Sequence, residues 1–420
     1  MKLSRSLAAI ALLGLPAIAA AQSPEDTAAA ALKAAPVFDG HNDAPMQLRD
    51  RFGNVISGFD FEDTTHTGEG HPQGAVMHTD LVRLRKGKVG AQYWSVYVPA
   101  SLKEPEAVQA TIEQIDVTKR LVARYPDELQ LALTADDVEA AIARGKIASL
   151  IGMEGGHSIG SSLAVLRQMY ALGARYMTLT HSKNTPWADS ATDAPAHDGL
   201  TDFGRDLVRE MNRMGMQVDL SHVSEKTMHD VLDVAKAPVI FSHSGARAIN
   251  GHARNVPDSV LKRLPANGGV VMVVGLPAFL SEAARQWNSQ REAERARLSA
   301  LWLGQPEAVA AGLKQWGEAN PVPLATISDM ADHIEHIRDV AGIDYIGIGG
   351  DYDGMPSGPV GMEDVAGYPA LFVELARRGY SRQDLEKISL RNALRALRGA
   401  EAYAASQRGQ PEVENSVKGE

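Results

Sequence analysis

Hydrophobic and polar positions follow two alternating rhythms along this chain. Short, nearly unbroken apolar runs recur as "PVFD" from Pro36, "AQYWSVYV" from Ala91, "ASLIGM" from Ala148 and "YMTLT" from Tyr176. Four more follow: "QVDLS" from Gln217, "PVIFS" from Pro238, "GVVMVV" from Gly269 and "YIGIGG" from Tyr345. Runs that are apolar on both faces predict strands covered by helices, as in a parallel sheet. Between them the spacing becomes that of amphipathic helices. "TADDVEAAIARGK" opens with a capping-box pattern at Thr134 and Asp137, while "TDFGRDLVREMNRMGM" and "SEKTMHDVLDVAK" lead straight into the next run.

Eight strands alternating with helices define an α/β fold, a (β/α)8 TIM-like barrel, for which about 250 residues suffice. The excess length of the 420-residue chain falls in insertions. The largest, residues 282–324, is rich in Ala, Arg and Glu and carries Trp287, Trp302 and Trp316. It predicts a helical insertion between strands seven and eight, packed on the rim as a lid or subunit contact. The competing arrangement, an open doubly wound sheet, lacks the G-x-G-x-x-G expected after a first nucleotide-binding strand. A single barrel domain is expected over residues 22–405, followed by a polar tail, 406–420, expected to fray.

The termini and composition narrow the setting. Lys2 and Arg5 precede an apolar run from Leu7 to Ile18, and small residues at Ala19–Ala21 come before a polar shift at Gln22. That layout is a secretory signal peptide over residues 1–21, cleaved near Ala21. Its apolar core is short of the roughly 20 residues that span a bilayer, so export to the periplasm is expected, with no stable membrane anchor. Cysteine is absent, which removes disulfides, thiolate ligands, a cysteine nucleophile and a lipidated cysteine. The net charge of −10, with no basic stripe among aromatics, argues against a nucleic-acid partner.

The chemistry lies where the apolar runs end. Strand one runs into "DGHND", with His41 and Asp43; strand three into "MEGGHS", with Glu154; strand four into "LTHSKNTPWADS", with His181. Strands five and six each end in Ser-His, at His222 and His243, and strand eight runs into "GGDYDG", with Asp351 and Asp353. In a (β/α)8 barrel these ends share one face, the face that carries active sites. A lone histidine at a strand end is more often a hydrogen-bonded structural residue. His66, His71, His78, His197, His229, His252, His333 and His336, in loops or on helices, keep that reading. Six strands delivering His or carboxylate to one rim is a different matter. Imidazoles and carboxylates without thiols fit zinc or a similar divalent ion. Two such ions about 3.5–4 Å apart, sharing a carboxylate and a hydroxide, form a hydrolytic centre. In "MEGGHS" Glu154 is the candidate ligand, because it follows the strand directly and Gly155 and Gly156 allow close approach. His157 is expected to support the ligands or the fold.

The motifs "DGHNDAP", "TDLVRLRKGKVGAQYWSVYVP", "GMEGGHS", "LTHSKNTPWADS", "VDLSHVS", "PVIFSHSGARAINGHARNVPD" and "GIGGDYDG" closely resemble, in order from Pro36 to Leu397, the membrane (renal) dipeptidase family. These are zinc metallopeptidases with amidohydrolase-like barrels. The resemblance implies two Zn2+ per chain, one held by His41 and Asp43, the other by His222 and His243, with Glu154 bridging. It implies that His181 contacts the substrate carbonyl and its oxyanion, and that Arg254 binds the C-terminal carboxylate of the dipeptide. Asp351 would take a proton from the attacking water and pass it to the leaving amine. It further implies small dipeptides as substrates, tolerance of a C-terminal D-residue, and a homodimer. Gly275 and Leu276 stand where many relatives have Asn-Phe, Phe279 where some have a tyrosine, and Lys183 where a small residue is common. "SLRNALRAL" lacks the usual glycines. These departures leave side-chain preference open. Two rival functions use the same face: a barrel metallohydrolase of another amide, such as a lactam or N-acyl amino acid, and a non-catalytic periplasmic binding protein.

Overall fold

The structure, a computed structural model, describes residues 22–68 and 75–414; the expected signal peptide and His71 lie outside the described residues. Among the described residues there are nine strands: β1 (Val37–Asn42), β2 (Val89–Tyr97), β3 (Leu129–Leu131), β4 (Ile147–Glu154), β5 (Ala174–Thr178), β6 (Gln217–Asp219), β7 (Ile240–Ser244), β8 (Val270–Val274) and β9 (Ile346–Gly349). Neighbours run β2-β1-β9-β8-β7-β6-β5-β4-β3, and β2 also pairs with β4. That last pairing, parallel from Ala91 against Ala148 to Tyr97 against Glu154, closes an eight-stranded barrel. Its eight strands are the eight apolar runs of the sequence.

β3 is the addition. It pairs only with Ile147–Ser149, the first residues of β4, while β5 joins β4 from Ile151 onward. It therefore extends the bottom edge of the barrel and adds nothing to its rim. Its sequence is Leu-Gln-Leu with only Leu129 buried, so no apolar run announces it.

Strand alternation sorts the core into two layers. Along β4, Ala148, Leu150, Gly152 and Glu154 share one face. Ala148 and Leu150 pack with Phe38, Tyr93, Tyr176, Ile240 and Met272, which fill the barrel interior, joined by Leu394 and Leu397 of the helix Asn392–Ser406. The same face continues upward to Glu154. The opposite face, Ile147, Ile151 and Met153, packs into the larger cluster between barrel and helices. Gly152 is required here: a Cβ would lie 2.0 Å from the Tyr176 ring.

The helices obey their local signals. Thr134 and Asp137 form the reciprocal bonds of a capping box at the start of the helix Ala135–Ala143. The insertion between β8 and β9 folds as a helical hairpin, Glu282–Leu301 and Pro306–Ala319. Its helices meet through Trp287 and Trp316, whose ring centroids are 5.5 Å apart. The tail is less free than its composition suggested. Val413 packs on the core, its N–H donates to Glu210, and its carbonyl accepts from Arg167. Among the described residues no helix is long and apolar enough to cross a membrane.

Candidate metal centre

The polar ends of the barrel strands converge in a buried cluster. His41 lies near the end of β1, and Asp43 is the N-cap of the helix Ala44–Phe52. An N-cap aspartate ordinarily accepts from the helix's own N–H groups. Asp43 makes no such bond, so its carboxylate is left for the interior. Glu154 closes β4, and Ser95 donates to its Oε2. His222 follows β6 and His243 lies within β7.

Three groups place their ligand atoms within 4.8 Å of one another: His41, Asp43 and Glu154; Glu154, His222 and His243; and His41, His243 and Asp351. Glu154 is common to the first two. His41 Nε2 is 3.4 Å from both Asp43 Oδ2 and Glu154 Oε2. His222 Nε2 is 2.9 Å from Glu154 Oε1 and 3.0 Å from His243 Nε2. Among the described residues His41 Nε2 and Asp43 Oδ1 find no hydrogen-bond partner, and both are buried. Buried polar atoms left unpaired are costly. Two such atoms in one buried cluster, with imidazole and carboxylate donors and no thiol, fit a divalent ion of the zinc type.

Electrostatics agree with this geometry. Burial pushes the Glu154 carboxyl up, but His41, His222 and His181 together hold it well below the usual carboxylate range. Burial, reinforced by Arg254 nearby, keeps the His222 and His243 rings well below their ordinary range, hence neutral and able to act as ligands. Asp351 is driven well above its ordinary value by burial, with Asp43 and Glu154 adding to the shift against His41 and Arg254.

The remaining candidates sit around this core. His181 Nε2 is 3.7 Å from Glu154 Oε1, with its ring against Tyr97 and His222. Arg254 is 2% exposed and has no carboxylate within ion-pair distance among the described residues. Its Nη1 and Nη2 make long bonds, 3.4 Å to Ser244 Oγ and 3.3 Å to the His243 carbonyl, and its Nε has no partner. The guanidinium lies 5.3 Å from the Phe279 ring centre. Burial lowers its pKa to about 10. Asp353 turns away from the cluster: its carboxylate accepts from the His78 N–H, and its own N–H donates to His78 Nδ1. His157 bonds the Pro99 carbonyl and is a fold residue. Lys183 is exposed and pairs with Asp193 at 3.6 Å. His333 is also structural, with Nδ1 accepting from the Ala246 N–H and Nε2 facing the Leu280 carbonyl.

Reading strand ends alone overlooks the groups that hold the ligands. Tyr176 OH is 2.8 Å from His41 Nδ1, and Ser242 Oγ is 2.8 Å from His243 Nδ1. Asp39 and Asp219 act as clamps between neighbouring strands. Asp39 Oδ1 accepts from the N–H groups of His41 and Gly350, and Asp219 Oδ1 from those of Ser221 and Ser242. The signal was present in the sequence: an aspartate inside an otherwise apolar run.

Comparison with known proteins gives a consistent pattern. The family model described as membrane dipeptidase (peptidase family M19) matches residues 25–411. Dipeptidase 3 of Rattus norvegicus is 41% identical over 394 residues, covering 93% of this chain and 70% of that protein. Dipeptidase tcpJ of Claviceps purpurea is 40% identical over 389 residues, covering 90% and 80%. Among solved structures, the probable dipeptidase PvdM from Pseudomonas aeruginosa superposes with a TM-score of 0.77 at 24% identity, covering 91% of this chain and 99% of that one. A metallopeptidase from Rhodobacter sphaeroides, liganded with a phosphinate mimic of L-Ala-D-Ala, gives 0.70 at 24% identity, covering 87% and 99%. These two structures share the fold.

Proposed function

The chain belongs to the membrane dipeptidase family of metallopeptidases, and from that premise we propose a binuclear zinc dipeptidase acting on free dipeptides, including those with a C-terminal D-residue. The observation that carries the proposal is a buried Arg254, without an ion-pair partner among the described residues, on the same face as His41, Asp43, Glu154, His222 and His243. A dipeptide presents a carboxylate one residue from its scissile bond, and Arg254 offers a cation for it.

His41 and Asp43 would hold one ion, His222 and His243 the other, and Glu154 both. Bound there, the ions supply a water acidic enough to attack at neutral pH and positive charge for the carbonyl oxygen. The protein's own groups do the rest. Arg254, its Nε unpartnered, receives the substrate carboxylate and fixes the peptide's orientation. His181, more exposed than the five ligands, stands where it can donate to the carbonyl oxygen as negative charge develops there. Asp351, with its proton affinity raised by burial, accepts a proton from the attacking water and returns one to the leaving amine.

The test is a substrate panel run on zinc-loaded protein: L-Xaa-L-Xaa, L-Ala-D-Ala, a C-terminally amidated dipeptide, a lactam and an N-acyl amino acid. Cleavage of both dipeptide classes and slow turnover of the amide support the reading. Turnover of only the lactam or the N-acyl amino acid would move the protein to another amide substrate, and no turnover at all would sink the enzymatic reading. The leader-like N-terminus supports a periplasmic location, and family membership a homodimer; fractionation and sedimentation test these in turn.

A further inference from the structure

Asp219 and Ser242 are fully buried, lie inside strand runs, and meet the candidate centre side chain to side chain at His243. Ser242 Oγ is 2.7 Å from Asp219 Oδ2 and 2.8 Å from His243 Nδ1. Asp219 accepts from four donors, the Ser221 and Ser242 N–H groups on Oδ1 and the Thr178 and Ser242 hydroxyls on Oδ2, so the single hydroxyl hydrogen of Ser242 is spent on Asp219. The competing acceptor, Ser221 Oγ, is farther away at 3.4 Å. Ser242 therefore meets His243 with a lone pair, and Nδ1 must carry the ring's hydrogen. That leaves Nε2 with a free lone pair, facing Glu154 Oε1 at 3.5 Å and His222 Nε2 at 3.0 Å.

We infer that Asp219 and Ser242 form a positioning relay that holds His243 in the Nδ1–H form and so presents Nε2 as a metal ligand. The inference rests on the two-ion reading of the site. His243 is distinct in this respect. His222 Nδ1 has no partner, and His41 Nδ1 meets the Tyr176 hydroxyl, which is free to give or to accept. The relay also gives the repeated Ser-His ending a purpose: both serines serve one histidine, one at its backbone and one at its ring. Ser221 Oγ accepts the His243 backbone N–H at 3.0 Å, and Ser242 fixes its side chain.

The relay makes an ordering that simple packing would not. In Asp219→Asn, the two backbone N–H groups on Oδ1 keep the amide oxygen there, at 3.0 Å from Ser221 N and 2.9 Å from Ser242 N. The amide NH2 then takes the place of Oδ2 and donates to Ser242, whose hydrogen must turn onto His243 Nδ1. That forces a hydrogen onto Nε2 and blocks it as a ligand. Ser242→Ala only removes the preference. Zinc titration of the full chain against a chelating dye should show one ion weakened about 10-fold in Ser242→Ala, within the 10–100-fold typical of groups behind metal ligands. Asp219→Asn should weaken the same ion at least tenfold more, and Asp219→Asn/Ser242→Ala should recover to the Ser242→Ala level. Equal losses in the two single variants, or no recovery in the double variant, overturn the relay. Wild-type protein that takes up fewer than two ions instead overturns the two-ion reading. If Asp219→Asn fails to fold, ¹⁵N spectra of ion-free wild-type protein decide: a hydrogen on His243 Nδ1 supports the relay, and one on Nε2 rejects it.

Discussion

Arg254 is a guanidinium enclosed in protein with no carboxylate at ion-pair distance among the described residues, an arrangement that burial makes costly. The cost is offset when a substrate carboxylate arrives. Arg254→Ala should therefore lower kcat/KM for free dipeptides by about 30-fold or more, mostly through KM, as expected for truncating one partner of a buried charge pair. It should leave an amidated dipeptide nearly unaffected; an equal loss on both substrates would remove the assigned contact. Asp351→Asn keeps the shape and removes the proton carrier. Its kcat should drop about 10²–10⁴-fold with bound zinc unchanged, which metal analysis beside steady-state kinetics will check. Backbone strain marks the same rim. Of the seven non-glycine residues with positive φ among the described residues, His222, Asp351 and Asp353 lie here, at 72°, 64° and 66°. Such conformations persist only where the surroundings enforce them. At this scale the ligands were legible because polar residues ended apolar runs. Ser242 and Tyr176 were not, because they sit inside the runs and read as strand, and Asp219 showed only as an aspartate within an apolar run.

At the scale of elements, the barrel is held by close approaches that permit no side chain. A Cβ on Gly349 would lie 1.8 Å from the Ser242 carbonyl oxygen, so β9 and β7 meet backbone to backbone beneath the centre. Gly349→Ala should destabilise the fold by about 1–3 kcal/mol or more, read as a lower denaturant midpoint, and should weaken ion binding because β7 carries His243. Thr134→Ala makes the contrast. Losing one side of a helix cap should cost about 1 kcal/mol and leave kcat/KM unchanged. A cap variant that impaired catalysis would show that the helix jacket is coupled to the rim. The eight barrel strands and the hairpin were readable from periodicity. β3 was not, since three residues with one buried leucine carry no pattern.

Across the whole molecule, one end of the barrel is an apolar core and the other an uncompensated cluster of imidazoles and carboxylates. Ion removal should therefore lower Tm, since a ligand present at 100 times its Kd contributes about 2.7 kcal/mol per site. The ion-free chain should also be sensitive to acid. His157, His181, His222, His243, His252 and His333 are all held below the ordinary histidine range, mainly by burial, while His41 is raised. A lowered histidine binds its proton more readily once unfolded, so these six make stability fall as pH drops below about 6.5; His41 works the other way, as do the buried carboxylates Asp39, Asp43, Asp351 and Asp353, whose values burial raises. Chelated protein should lose Tm between about pH 6.5 and 5, and a flat profile would contradict the burial of these rings. The most direct test of the whole account is zinc stoichiometry. Wild-type protein should bind two ions per chain, and His222→Ala and His243→Ala should each lower the count to one by emptying the same site. A wild-type count of one, or loss of different ions in the two variants, would contradict it.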